Sequence, residues 1–179
     1  MSDTRKLTWG ALFIALGILL PMLFHTTGIG GAVFLPMHIP VLLCGFFTGP
    51  GIGLLVGGVT PLLSSLLTGM PPMMPPVAQR MVFELAAFGF MTGFLFNRFR
   101  LGVYPSLIGA MLVGRLVYGL VGYLLLPLVG LEGIPILYPL THGLVTGLPG
   151  IALQLVLIPA VVYLLSRYPG LAPARGEGS

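Results

Sequence analysis

The fold of this chain is decided by the stretch from Phe34 to Pro72, which reads FLPMHIPVLLCGFFTGPGIGLLVGGVTPLLSSLLTGMPP. Its 39 residues include no Asp, Glu, Lys or Arg, and a turn at residues 49–51 divides them into two apolar segments. The prolines after Thr68 remove backbone donors, so the second segment ends there. Apolar helices interrupted by glycine and proline are typical of proteins that span a membrane.

The composition of the whole chain leads to the same class. Of 179 residues, 8 are Lys or Arg, 4 are Asp or Glu and 56% are hydrophobic, and the mean hydropathy is +1.07. Soluble domains carry about 25% charged residues, and disordered chains are far less apolar. The basic residues form no patch for nucleic acid. We therefore predict an integral membrane protein with no nucleic-acid partner.

Breaks at glycine, proline and charged residues predict an all-α fold of six transmembrane helices. The predicted spans are residues 7–24, 35–48, 52–67, 77–96, 103–128 and 139–166. Residues 1–6 form a short cytoplasmic N-terminus, residues 7–166 form one membrane domain, and residues 167–179 form a cytoplasmic tail expected to be disordered.

The basic residues outside the spans predict the orientation. With six spans, both termini and the even-numbered connections share one side of the membrane, and that side holds Arg5, Lys6, Arg98, Arg100, Arg167 and Arg175. The connections on the other side hold Glu132 and no Lys or Arg. Because basic loops stay in the cytoplasm, both termini are predicted to be cytoplasmic.

Polar side chains inside a span are costly and usually mark a site. Counted by the helical rise of about 1.5 Å per residue, most of those in this chain fall in the outer half of the membrane, on five different spans. We therefore predict one outward-facing pocket for a small molecule. Its candidate substrate-binding residues are His38, Ser64, Arg80, Glu84, Arg115, Tyr118 and His142.

The expected charge pairing decides which arginine we predict to contact the ligand. Arg80 and Glu84 are four residues apart, so they are expected to neutralise each other on one helix face. Arg115 has no acidic residue nearby in the sequence, which makes it the predicted ligand contact. Each residue type also has a structural explanation: the histidines could bond between helices, and Ser64, like Ser65, could bond to its own helix.

Enzyme and metal signatures are not found in the sequence. There is no metalloprotease, nucleophile-elbow or phosphate-loop motif, and the single cysteine, Cys44, excludes a cysteine-based metal site. We predict a protein that is not an enzyme and has neither a metal nor a cofactor in this chain.

Three stretches resemble the substrate-binding S components of energy-coupling factor (ECF) transporters, in the vitamin-uptake group. The first is TWGALFIALGILLP, with an AxxxA pattern at Ala11 and Ala15; the others are Phe34 to Pro72 and ELAAFGFMTGFLF, Glu84 to Phe96. The resemblance covers most of the chain.

The resemblance implies a subunit of an ABC-type importer in a prokaryotic cell membrane, working with a transmembrane coupling subunit and two ATPases that use ATP. Ala11 and Ala15 would dock on the coupling subunit, and loops 25–33, 68–76 and 129–138 would cover a vitamin site at the outer face. Pantothenate, or a pyrimidine or B6-type compound, is the implied substrate.

Two other classes remain open. A self-sufficient secondary transporter or channel would favour an inverted repeat and polar residues in the inner half. A small intramembrane enzyme would need catalytic acids, of which only Glu84 lies within a span.

Overall fold

The structure is a computed structural model that describes residues 2–26, 34–74, 77–127, 130, 138–168 and 172–173, with side chains except at 25, 26, 138–144 and 146. The helices are α1 (Asp3–Thr26), α2 (His38–Thr48), α3 (Pro50–Thr68), α4 (Val77–Gly93), α5 (Val103–Leu125) and α6 (Tyr138–Ser166), and a π-helical turn, Phe94–Arg98, continues α4. The described residues contain no strand. The all-helical fold is confirmed.

The outer surface of the bundle is apolar. Leu112, Leu116, Leu120 and Leu124 recur every four residues along α5, and each is about 60% exposed. A stripe of this kind belongs against lipid. Within the described residues, α1, α3, α5 and the part of α6 from Gly147 are long and apolar enough to cross a membrane.

Helix α2 forms the centre of the bundle. It has only 11 residues, and all of them are buried. A helix that is apolar on every side needs protein around its whole circumference, and α1, α3, α4 and α6 all contact it. The aromatic pair Phe46 and Phe96, with ring centroids 5.0 Å apart, closes the core on the side of the bundle where α2 ends.

Glycines allow α3 and α4 to approach closely along an antiparallel seam. Gly49, Gly53 and Gly57, spaced by four residues, lie against Gly93, Gly89 and Leu85 respectively. A methyl group added at Gly53 or Gly57 would overlap backbone atoms opposite, and one added at Gly49 would lie 3.2 Å from Asn97 Nδ2. Small residues at such spacing allow helices in membranes to pack backbone against backbone.

The turn between α2 and α3 requires glycine for a second reason. Gly49 has φ 90°, a conformation that side chains with a Cβ rarely adopt. Pro50 follows as the first residue of α3, where its missing N–H leaves no hydrogen bond unmade. The predicted turn at residues 49–51 is confirmed.

Helix α1 begins at Asp3, four residues before the predicted span. Asp3 lies in the first turn, where its carboxylate complements the helix dipole, and its Oδ1 is 3.9 Å from Lys6 Nζ. The helix therefore continues through its basic residues beyond the apolar segment.

The connection after α3 is held by side chains. Ser64 Oγ donates to the Met70 carbonyl over 2.6 Å, and Ser65 Oγ donates to the Pro71 carbonyl. From the other side, Gln79 Nε2 donates to the Met73 carbonyl over 3.2 Å. Thr68 Oγ1, at the end of α3, accepts from the Met70 N–H over 3.2 Å. The non-helical segment predicted after Thr68 is confirmed, and four helix side chains anchor its described part, residues 69–74.

We expect Gly89→Ala to lower the free energy of unfolding by about 1–3 kcal/mol, because the methyl group would overlap the Gly53 backbone. Gly51→Ala is the matched control, since nothing lies within 4 Å of a Cβ there. Unfolding in detergent micelles measures both. Equal stability of the two variants would show that the seam is not closely packed.

We expect the double variant Ser64→Ala/Ser65→Ala to speed hydrogen exchange of the Met70, Met73 and Met74 amides, because two anchors of residues 69–74 are lost. Each lost hydrogen bond should lower stability by about 1 kcal/mol. Ser166→Ala, which removes a hydroxyl bonded to the Tyr163 carbonyl on its own helix, should leave those amides unchanged. Unchanged exchange in the double variant would contradict the anchoring.

Candidate functional site

A buried charge cluster joins α2, α4 and α5. Glu84 is 1% exposed, and Arg115 Nη1 donates to its Oε1 over 2.8 Å. His38, 2% exposed, places Nε2 3.6 Å from Glu84 Oε2. A carboxylate in an apolar interior needs this compensation, because an isolated charge there is strongly unfavourable.

The cluster lies deep along its helices. Arg115 is 12 residues from the start of α5, which corresponds to about 18 Å. His38 begins α2, which is about 16 Å long. Its ring packs edge-on against Phe88, with centroids 5.2 Å apart. The cluster thus lies well inside the bundle, far from the end of the bundle at which α1 begins and α6 ends.

A second polar pair lies one turn away along the same contact between α4 and α5. Arg80 Nη2 donates to the Tyr118 hydroxyl over 2.7 Å, and Arg80 Cζ lies 4.4 Å from the centre of the Tyr118 ring. Arg80 Nε is buried and has no hydrogen-bond partner. Within the described residues, Arg80 therefore has an aromatic partner and no acidic one.

The predicted charge pairing is wrong. We expected Arg80 to neutralise Glu84 and Arg115 to be unpaired, yet Glu84 accepts from Arg115. Spacing of four residues permits an ion pair on one helix, but it does not exclude a partner from the neighbouring helix. The antiparallel packing of α5 against α4 brings Arg115 level with Glu84 and Tyr118 level with Arg80.

The remaining predicted residues have different placements. The Ser64 hydroxyl is used by the Met70 carbonyl, so its observed contact is with the α3–α4 connection. The side chain of His142 lies outside the described residues, as does most of the loops 25–33 and 129–138. Gln154, on α6, is 1% exposed and its Nε2 has no hydrogen-bond partner in the described part of the chain.

Two neighbours of the site were not predicted. A Cβ at Gly147 would lie 3.1 Å from Arg115 Nη2 and 3.0 Å from Leu35 Cδ1, so α6 closes against the guanidinium at this glycine. Gln79 anchors the segment beside Arg80. The polar residue directly after a proline-rich stretch was a usable signal for Gln79, whereas nothing in the sequence distinguishes Gly147 from other helix glycines.

The side chains of the cluster are suited to binding a polar solute. The cluster offers guanidinium, imidazole and phenol groups that can orient a polar solute. No group of three His, Cys, Asp or Glu side chains suited to a metal ion is found in the part of the chain that the structure describes.

Helix α1 has two distinct faces. Phe13 packs inward against Phe47 of α2, and the helix glycines Gly10 and Gly17 pack against α3. Ala11 and Ala15 are exposed. Ala11 and Ala15 are therefore not covered by the described part of the chain, and they leave a shallow, small-residue surface on the outside of the bundle.

Comparison with known proteins agrees with these features. No curated protein matches the chain significantly. The model of the family described as "ECF transporter, substrate-specific component" matches residues 5–162, which include all six helices almost completely. An all-helical bundle with a lipid-type surface and a buried polar cluster fits a membrane-embedded binding subunit. The chain belongs to the family of substrate-specific (S) components of ECF transporters.

Proposed function

We propose that this S component captures a vitamin or vitamin precursor from outside a prokaryotic cell and delivers it as part of an ECF-type ABC importer. Pantothenate and a pyrimidine or B6-type compound are the candidate substrates. The observation that carries the proposal is the meeting of His38, Glu84, Arg115, Arg80 and Tyr118 inside an otherwise apolar bundle of this family.

The partners follow from the family. S components work with a transmembrane coupling subunit and two ATPases, so ATP is used outside this chain. The exposed Ala11 and Ala15 are our candidate docking surface, because small residues let a partner helix approach closely. Both termini are taken to be cytoplasmic, as the basic residues at that end of the bundle favour.

The core beyond the cluster supports a binding subunit over a self-sufficient channel. Phe46, Phe47 and Phe88 are at most 2% exposed and fill the space around α2. A polar solute has no favourable path through aromatic packing, since burying its polar groups without hydrogen bonds is costly. Movement across the membrane then has to involve the partner subunits.

Reconstituted uptake tests the proposal. Proteoliposomes that contain this chain, the coupling subunit and the ATPases should accumulate labelled substrate only when ATP is present on the side of the membrane that carries the ATPases. Proteoliposomes that contain this chain alone should bind the substrate without accumulating it. Mass spectrometry of small molecules released from the purified chain names the substrate to use. Accumulation by the chain alone would contradict the proposal.

We expect Ala11→Leu/Ala15→Leu to reduce ATP-dependent uptake about tenfold or more, equivalent to about 1.4 kcal/mol of docking free energy, while the Kd for substrate stays unchanged. The physical reason is that close helix approach is lost. Ala152→Leu/Ala160→Leu places the same change at two exposed alanines of α6 and should leave uptake intact. Loss of binding in the α1 variant would contradict the assignment of this face.

A further inference from the structure

We infer that the substrate is a small monoanion, in the simplest case a monocarboxylate, and that Arg80 and the Tyr118 hydroxyl bind its charged group. This inference rests on the proposed function and narrows its substrate class.

The charges of the cluster require one more negative group. Two guanidinium groups, those of Arg80 and Arg115, lie along a contact that has one carboxylate, Glu84, among its described residues. His38 lies beside the same carboxylate, with Nε2 3.6 Å from Oε2, and an imidazole supplies no negative charge. Among the described residues at least one positive charge therefore has no acidic partner, and a partly buried guanidinium of a membrane protein is stabilised by an anion.

The surplus charge is located at Arg80. Arg115 is 7% exposed and already donates to Glu84 over 2.8 Å. Arg80 is half-buried, donates only to an uncharged hydroxyl, and keeps a buried Nε without a hydrogen-bond partner in the described part of the chain. Its guanidinium still has N–H groups to offer a planar, two-oxygen acceptor.

Tyr118 completes the subsite. Its oxygen accepts from Arg80 Nη2, and its own O–H donates to no described residue, so it can donate to a ligand, since a phenol is both acceptor and donor. The ring beneath Arg80 Cζ also fixes the guanidinium plane. A carboxylate bound to Arg80 could accept from both side chains, and an uncharged amide or alcohol would leave the surplus charge unanswered.

The number of charges sets the class. A single carboxylate is enough to pair with the guanidinium of Arg80, whereas an uncharged compound offers it no anion. We therefore expect the carboxylate-bearing class to be preferred over neutral ring compounds of the B6 type.

Matched ligand pairs test the inference. The acids are pantothenate, biotin and nicotinate, and their uncharged counterparts are pantothenol, biotinamide and nicotinamide. Pyridoxine serves as a neutral ring compound. Calorimetry on the purified full chain gives the Kd of each probe. We expect at least one acid to bind about 10- to 100-fold more tightly than its uncharged counterpart. In Arg80→Gln the ratio of the two Kd values, uncharged counterpart over acid, should fall to about one.

One control, Arg98→Gln, and two further variants of the cluster separate charge recognition from folding. Arg98→Gln changes an exposed arginine of the π-helical turn and should retain the full ratio. Glu84→Gln/Arg115→Gln removes both members of the ion pair, leaves the surplus at Arg80, and should retain a preference for the acid. Tyr118→Phe keeps the ring and should reduce the ratio without abolishing it. Each variant is checked for an unchanged elution profile.

The possible outcomes separate failure of this inference from failure of the proposed function. Binding of none of the probes, with no small molecule released from the purified chain, would count against the proposed function itself. Binding of uncharged probes only, or an acid preference that survives in Arg80→Gln, would overturn the inference and leave the function standing. A ratio abolished in Glu84→Gln/Arg115→Gln but kept in Arg80→Gln would assign the anion to Arg115 instead.

A lipid headgroup is the other source of an anionic group. Measuring the tightest acid in phosphatidylcholine nanodiscs with and without phosphatidylglycerol separates the two. A soluble acid predicts the same fold-change in Kd for the wild type and Arg80→Gln, because the anionic surface repels the acid in both. A Kd that rises with phosphatidylglycerol in the wild type but not in Arg80→Gln would assign Arg80 to lipid and overturn the inference.

Discussion

The buried carboxylate of Glu84 is the constraint on which the polar core depends. A charge at this depth is stable only when its partners are fixed around it. Arg115 meets it from α5 over 2.8 Å and His38 lies beside it from α2, so three helices are brought to one point. Because Arg115 is paired with Glu84, Arg80 is the guanidinium in this cluster that can bind another acceptor.

Close backbone packing makes this meeting possible. The seam of Gly49, Gly53 and Gly57 against α4 sets the position of that helix relative to α3. On the other side, a Cβ at Gly114 would overlap the Phe88 ring, so α5 approaches α4 closely next to Arg115. Bulkier residues at Gly53, Gly57 or Gly114 would push the helices apart and weaken contacts that depend on their close approach.

The sequence predicted the helices well because proline, glycine and charge interrupt the apolar segments clearly. The bounds predicted for α3, at 52–67, differ from the observed Pro50–Thr68 by one or two residues. The polar residues of the core were also found, since ionisable groups in apolar spans are rare. Their pairing was not, because Glu84 and Arg115 are 31 residues apart and only helix packing brings them level. Likewise, the contacts of Ser64 and Ser65 depend on the path of the connection that follows.

We propose that Arg115 stabilises the bundle and that Arg80 recognises a ligand. This division of roles requires that Glu84 and Arg115 form one energetic unit, and a double-mutant cycle of unfolding free energies in bicelles tests this most directly. Glu84→Gln and Arg115→Gln should each lower stability by about 3–5 kcal/mol, and the double variant should lose far less than the two losses combined. Strictly additive losses would contradict the claim, because they would show that the two side chains contribute independently.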